Sequence, residues 1–220
     1  MLRGLPREVA DVVWRHRLAA AVPAALLGAG ADVLIVLGHD LGREIAVGIV
    51  LAVAFEMYVG YAELLVAADR REGPRPSVRL LLRDAWFLTP RLLLTSAPAV
   101  GLPLAASGLL VLPGLWLLTR WSLYAPAIVH EGLGARAGLA RSAELVRGNF
   151  WAVACSVTAA LLIEHAVIHG TAHSAEPVLG SHVLGLAGAA LATAIVSPPA
   201  AFTISLVYER LAEPRLTRFE

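Results

Sequence analysis

The chain has 220 residues, 58% of them hydrophobic and 16% charged, with a mean hydropathy of +0.70 and a formal net charge of +1. That balance is too apolar for an ordinary water-soluble globule and carries no basic excess that would suit nucleic acid. The apolar residues fall in blocks of about 20, enough to cross a hydrocarbon core of about 30 Å at about 1.5 Å per residue. The expected fold is therefore all-α, a polytopic membrane helix bundle forming one integral domain.

Six spans are predicted, over residues 18–38, 45–68, 91–107, 109–130, 151–171 and 183–208. The third and fourth come from one nearly continuous apolar stretch, which is about twice a single span. Its Pro and Gly residues place a turn near Ser107 and Gly108, so two crossings are preferred to a re-entrant hairpin.

Ahead of the first span, residues 2–15 set Leu5, Val9, Val12 and Val13 toward one side. Residues 77–88 and 135–151 carry similar patterns, with Arg79 and Arg83 four apart in the first and Arg136 and Arg147 opposite Leu139 and Val146 in the second. All three read as amphipathic helices, either in the cytoplasmic interface with Trp14, Trp86 and Trp151 at headgroup depth or packed on the bundle's own underside.

The chain contains no lysine, so orientation follows from arginine. Arginines crowd the N-terminal segment, the second and fourth connections and the tail, whereas the first connection has only Arg43 and the fifth has none. Both termini are therefore expected on the cytoplasmic side of the cell membrane. The first apolar block is not followed by a cleavage pattern, and it is expected to remain as an anchor. Cys155 stands alone, which excludes an internal disulfide and reads as a small packing residue.

Charges within spans cost several kcal/mol unless paired or hydrated. Glu56 and Arg120 fall near the middle of two spans that run in the same direction, so they are expected to meet as a midplane ion pair, with Glu63 as the other partner within reach. A polar path for a solute or proton is the alternative. Toward the outer side, His165, His169 and His173 are spaced four and four, with Glu164 adjacent. Imidazoles at that spacing can chelate Zn²⁺ or another transition metal, although outer histidines ordinarily face water. No cofactor is otherwise called for.

The segment "TRWSLYAPAIVHEGLGARAGLARSAELVRGNFW" combines Arg120 and Trp121 with Pro126, Glu131, Gly132, Ser142 and Trp151, and the chain nears its end on Tyr208, Glu209 and Arg210. These positions resemble the membrane domain associated with bacterial glycerophosphoryl diester phosphodiesterases and related uncharacterised six-helix integral membrane proteins. The resemblance implies a non-catalytic accessory or scaffold acting on membrane lipids, a membrane protein partner or a second copy of itself. In the fused enzymes, hydrolysis belongs to a separate soluble barrel for which this chain has no room.

Overall fold

The computed structural model describes residues 4–37, 41–70, 76–109, 111–164, 166–167, 170–171 and 182–216. Their regular structure is helical: α1 (Leu5–Leu37), α2 (Leu41–Arg70), α3 (Val78–Leu109), α4 (Val111–Trp121), α5 (Tyr124–Glu131), α6 (Ala135–Val146), α7 (Phe150–Glu164) and α8 (His182–Leu216). The fold class is all-α. A π turn, Ala154–Thr158, is built into α7.

Helix α1 runs antiparallel to α2 and α8, and α2 antiparallel to α3, whereas α2 and α8 run parallel. Near its N-terminus α1 meets the end of α8 through an ion pair between Arg210 and Glu8, and further along His16 meets Phe202 edge-on at 6.5 Å. Against α2, Arg70 reaches Glu8 at 2.6 Å, while the buried Tyr61 hydroxyl donates to the Ala19 carbonyl at 2.8 Å. Helix α3 packs on α2 where Gly60 approaches Ala85 and Leu92.

The connections differ from the expectation in an informative way. Residues 5–15 are not a separate interfacial helix but the first turns of α1, and residues 78–88 are the first turns of α3. "WRHRLAAAV" carries no Gly or Pro to break α1 there, so the helix passes straight from its charged start into its apolar body. The expected third helical segment ends at Leu109, just beyond Ser107 and Gly108. The fourth divides into α4 and α5, because Pro126 denies the Ser122 carbonyl its amide partner four residues on. The third amphipathic segment does form a helix of its own, α6, bent by 106° from α7.

Large apolar side chains lie on the outside of the bundle, and several ionisable ones lie buried beside its hydrophobic core. Leu18, Phe87, Leu94 and Trp151 are each at least 70% exposed, whereas Glu56, Glu63 and His16 are no more than 6% exposed. A water-facing protein distributes such groups the other way. Among the described residues one helical stretch, Ala190–Ala212, is long and apolar enough by itself to cross a membrane; α6 and α7 pass that test only as a bent pair.

Candidate functional site

Helix α2 carries Glu56, Glu63 and Arg70 at intervals of seven, which puts all three on one face, each about 10 Å further along the axis. That face looks onto α5 and α8. Glu56 accepts hydrogen bonds from the Tyr124 hydroxyl at 3.2 and 3.3 Å and from Ser96. Glu63 accepts from Ser205 Oγ at 2.7 Å, and the same carboxylate oxygen lies 3.4 Å from His130 Nε2. Arg70 ends the row between Glu8 at 2.6 Å and Glu209 at 2.9 Å.

No ion pair joins Glu56 to Arg120 among the described residues, contrary to the pairing expected from their depth. A break follows Trp121, after Arg120 and before Tyr124. It re-aims the chain so that Tyr124 reaches Glu56, while the Arg120 guanidinium lies 5.0 Å over the Trp116 ring. Arg120 does not reach down to Glu63 either, whose partners are a hydroxyl and an imidazole.

The segment that carries the family resemblance builds this side of the bundle. Ser142, fully buried on α6, accepts from the Leu123 amide at 3.1 Å and donates to the Arg120 carbonyl at 3.0 Å. It thereby satisfies two backbone groups that the break would leave orphaned. Gly138 lets α6 approach α5 closely: a Cβ there would stand 2.7 Å from Ile128 Cγ1. Gly132 ends α5 in the left-handed conformation, φ 66°, which glycine adopts without strain.

After that turn Glu131 accepts from Arg141 Nε at 2.7 and 3.0 Å and from the Tyr208 hydroxyl at 2.6 Å. Trp121 and Trp151 take no part in these contacts; Trp151 is exposed and meets Phe150 edge-on.

The result is a cavity of about 590 Å³ at the end of the bundle, lined by Arg70, His130, Glu131, Arg141, Tyr208, Glu209 and Ala212. Its aromatic element is His130 stacked on Tyr208, with ring centres 5.3 Å apart. Burial would raise the Glu8 carboxyl, but the Arg210 and Arg70 guanidiniums overcome this and hold it below its ordinary value. Burial would lower Arg141, and the hydrogen-bonded Glu131 carboxylate more than reverses it. The charged lining sets two guanidiniums, Arg70 and Arg141, against two carboxylates, Glu131 and Glu209.

Such a lining is suited to holding a polar or zwitterionic group. It is not arranged for nucleophilic attack. The order here is Ser205, Glu63, His130, with the carboxylate in the middle and the serine bonded to it, whereas an activated serine hydrogen-bonds to the general base that takes its proton. Among the described residues no group of three or more His, Cys, Asp or Glu side chains is placed to hold a metal ion. His165, His169 and His173 lie outside the described residues; Glu164, the fourth member of that reading, bonds to Ser197 on α8.

Sequence reasoning singled out Glu56, Glu63, Glu131, Ser142 and Tyr208 but missed Arg70 and Glu8 as site residues. The interval of seven could have found Arg70. No local signal announces Glu8, which is brought in by the antiparallel pairing of α1 with α2 and α8. No family model, curated protein or solved structure matches the chain.

Proposed function

We propose that the protein is a six-span integral membrane protein of the cytoplasmic membrane, with both termini on the cytoplasmic side, acting non-catalytically on membrane lipids or a membrane partner. This is the role that the resemblance to the membrane domain of glycerophosphoryl diester phosphodiesterases implies. The observation that carries it is the reversed polarity of the bundle: an apolar exterior around buried carboxylates, with a charged cavity at the Arg-rich end. Helices of 30 to 35 residues, α1, α2, α3 and α8, are about 45–52 Å long and exceed a hydrocarbon core of about 30 Å. Their excess length carries the Glu8, Arg70 and Glu209 cluster beyond the hydrocarbon.

Single-cysteine labelling in a Cys155→Ala background tests the topology. Cysteines at Ser77 and Gly134 should react with an impermeant maleimide only after the membrane is opened, and a cysteine at Ala175 in intact cells. Reaction of Ser77 and Ala175 from the same side would overturn the six-span arrangement.

A second reading, passage of a small solute or lipid through the interior, is supported by the burial of Glu56 and Glu63 without a guanidinium partner. Liposome flux that disappears in Glu63→Gln would favour it over the accessory role.

A further inference from the structure

Among the described residues Glu63 is the most enclosed ionisable group, 1% exposed on the face of α2 that meets α5 and α8. A carboxylate in such a place is held by a cation or by a proton, because an unpaired buried charge is costly. Its contacts offer one group able to supply either. Ser205 Oγ donates to Glu63 Oε2 at 2.7 Å and is itself fully buried, but a hydroxyl brings no net charge. His130 Nε2 lies 3.4 Å from the same oxygen and is the titratable group in contact with it among the described residues.

His130 also reaches the solvent that Glu63 does not. Its side chain is 18% exposed against 2% for Glu63, and it lines the cavity of about 590 Å³ at the charged end of the bundle. The ring is held there by its stacking on Tyr208, which is fixed in turn by its bond to Glu131. The titratable and charged groups around the imidazole are Glu63 and Arg70 from α2, Glu131 on its own helix, Arg141 from α6, and Tyr208 and Glu209 from α8. On the side of α5 that meets α3 the neighbours are the apolar Leu88 and Leu92. One imidazole therefore stands between a charged, open cavity and a sealed carboxylate.

We propose that Glu63 is a proton-binding site inside the bundle, loaded from the charged cavity through His130. In the loading step the Nε2–H bond of the imidazolium breaks as an O–H bond forms at Glu63 Oε2. The bonding pair stays on nitrogen, leaving a neutral imidazole beside a carboxylic acid, and cavity water returns a proton to the ring. Release reverses these steps. Glu56, about 10 Å further along α2, is bonded to Tyr124 and out of reach of a direct transfer, so the site binds a proton without needing a path through the bundle. The inference rests on the packing of α2, α5 and α8 and on neither reading of function above.

Infrared spectroscopy after a rapid drop from about pH 8 to about pH 4, which covers the ordinary imidazole and carboxyl ranges, tests it on the detergent-purified whole chain. A carboxylic C=O band should grow in the wild type and be missing in Glu63→Gln. In His130→Phe, which keeps a ring against Tyr208, the band should still appear but grow about a hundredfold more slowly, the ordinary worth of a positioned acid or base. In His130→Ala, imidazole added to the solution should restore the rate; this comparison is made within one protein, so it does not depend on the variants being equally stable, and a histidine that only packs gives no such rescue. Growth at the wild-type rate in His130→Phe, or no acceleration by imidazole in His130→Ala, would overturn the route, and a wild type with no titrating band from Glu63 would overturn the site. Liposome flux can be absent while this band is present, so failure of the passage reading and failure of the proton site are told apart.

Discussion

The Tyr208 hydroxyl lies 2.6 Å from Glu131 Oε1, joining two segments 77 residues apart in the chain. Both belong to the sequence motifs singled out above, and both oxygens of the same carboxylate accept from Arg141 Nε. A hydrogen bond to a charged group contributes about 1.5–3 kcal/mol. Tyr208→Phe should therefore destabilise the detergent-solubilised protein by about 1.5 kcal/mol in a denaturant titration. In a double-mutant cycle with Glu131→Gln the two losses should fall short of additivity by about 1 kcal/mol; strict additivity would show that the contact carries no coupling.

Ser142 closes the break between α4 and α5 with two hydrogen bonds, both to backbone. Removing its hydroxyl leaves a buried amide and a buried carbonyl without that partner, at about 1–3 kcal/mol for each group. Ser142→Ala is expected to cost about 3 kcal/mol, and Ser142→Thr to recover part of it. Hydrogen exchange at the Leu123 amide gives an independent readout, and unchanged protection there in Ser142→Ala would refute the role.

Gly138→Ala should cost about 1–3 kcal/mol through overpacking, since the new methyl meets Ile128 at 2.7 Å. In a double-mutant cycle with Ile128→Ala, which removes that Cγ1 and the Cδ1 beyond it, the two losses should fall short of additivity. Strict additivity would place the strain in the backbone instead.

Glu8 links acid sensitivity to the charged end of the bundle. Its folded pKa lies below the ordinary 4.5 because Arg210 and Arg70 outweigh burial. The folded state therefore holds fewer protons than the unfolded one in that window. The stabilisation is fully present above 4.5 and is lost as pH falls through the lower folded value. Thermal midpoints should drop between about pH 5 and about pH 3, and the drop should be smaller in Glu8→Gln. An identical acid profile in the two proteins would remove Glu8 from the linkage.

Thr119 and Thr158 share a hydroxyl hydrogen bond of 2.9 Å between α4 and α7. Hydroxyl bonds between membrane helices contribute about 0.6 kcal/mol, and Thr119 also donates to the Leu115 carbonyl. Thr119→Val should therefore change the unfolding free energy by less than about 1 kcal/mol, a contrast with Ser142 that separates bonding between side chains from repair of a broken backbone.

The helical character of the chain was legible because blocks of apolar residues leave few alternatives to helix. What was not legible was how far each helix extends past its apolar part. Leu5 to Arg17 and Val78 to Thr89 belong to the same rods as the spans that follow them, since charge ends an apolar block without ending a helix. At the site, Glu63 and Glu131 stood out as ionisable residues in or beside apolar sequence, but their partners did not. Depth in a bilayer says which residues are level with each other, not which way they face. Arg120 lies on α4 over its own Trp116, and the partner that Glu56 takes, Tyr124, comes from beyond the turn at Ser122 and Leu123, which changes the direction of everything after it.

The π turn in α7 has a consequence of the same kind, one of phase. One additional residue in a helical turn rotates everything downstream by about 100°. Trp151 and Phe150 lie before that turn and Glu164 after it. The exposed Trp151 at the start of the helix and the inward face at its end are therefore out of step by one position. Deleting Ala154 would restore a uniform spiral, and Glu164 would swing off Ser197 toward the outside of the bundle. In this helix a single extra residue acts as an adjustable joint, deciding whether a carboxylate is presented to the bundle or away from it.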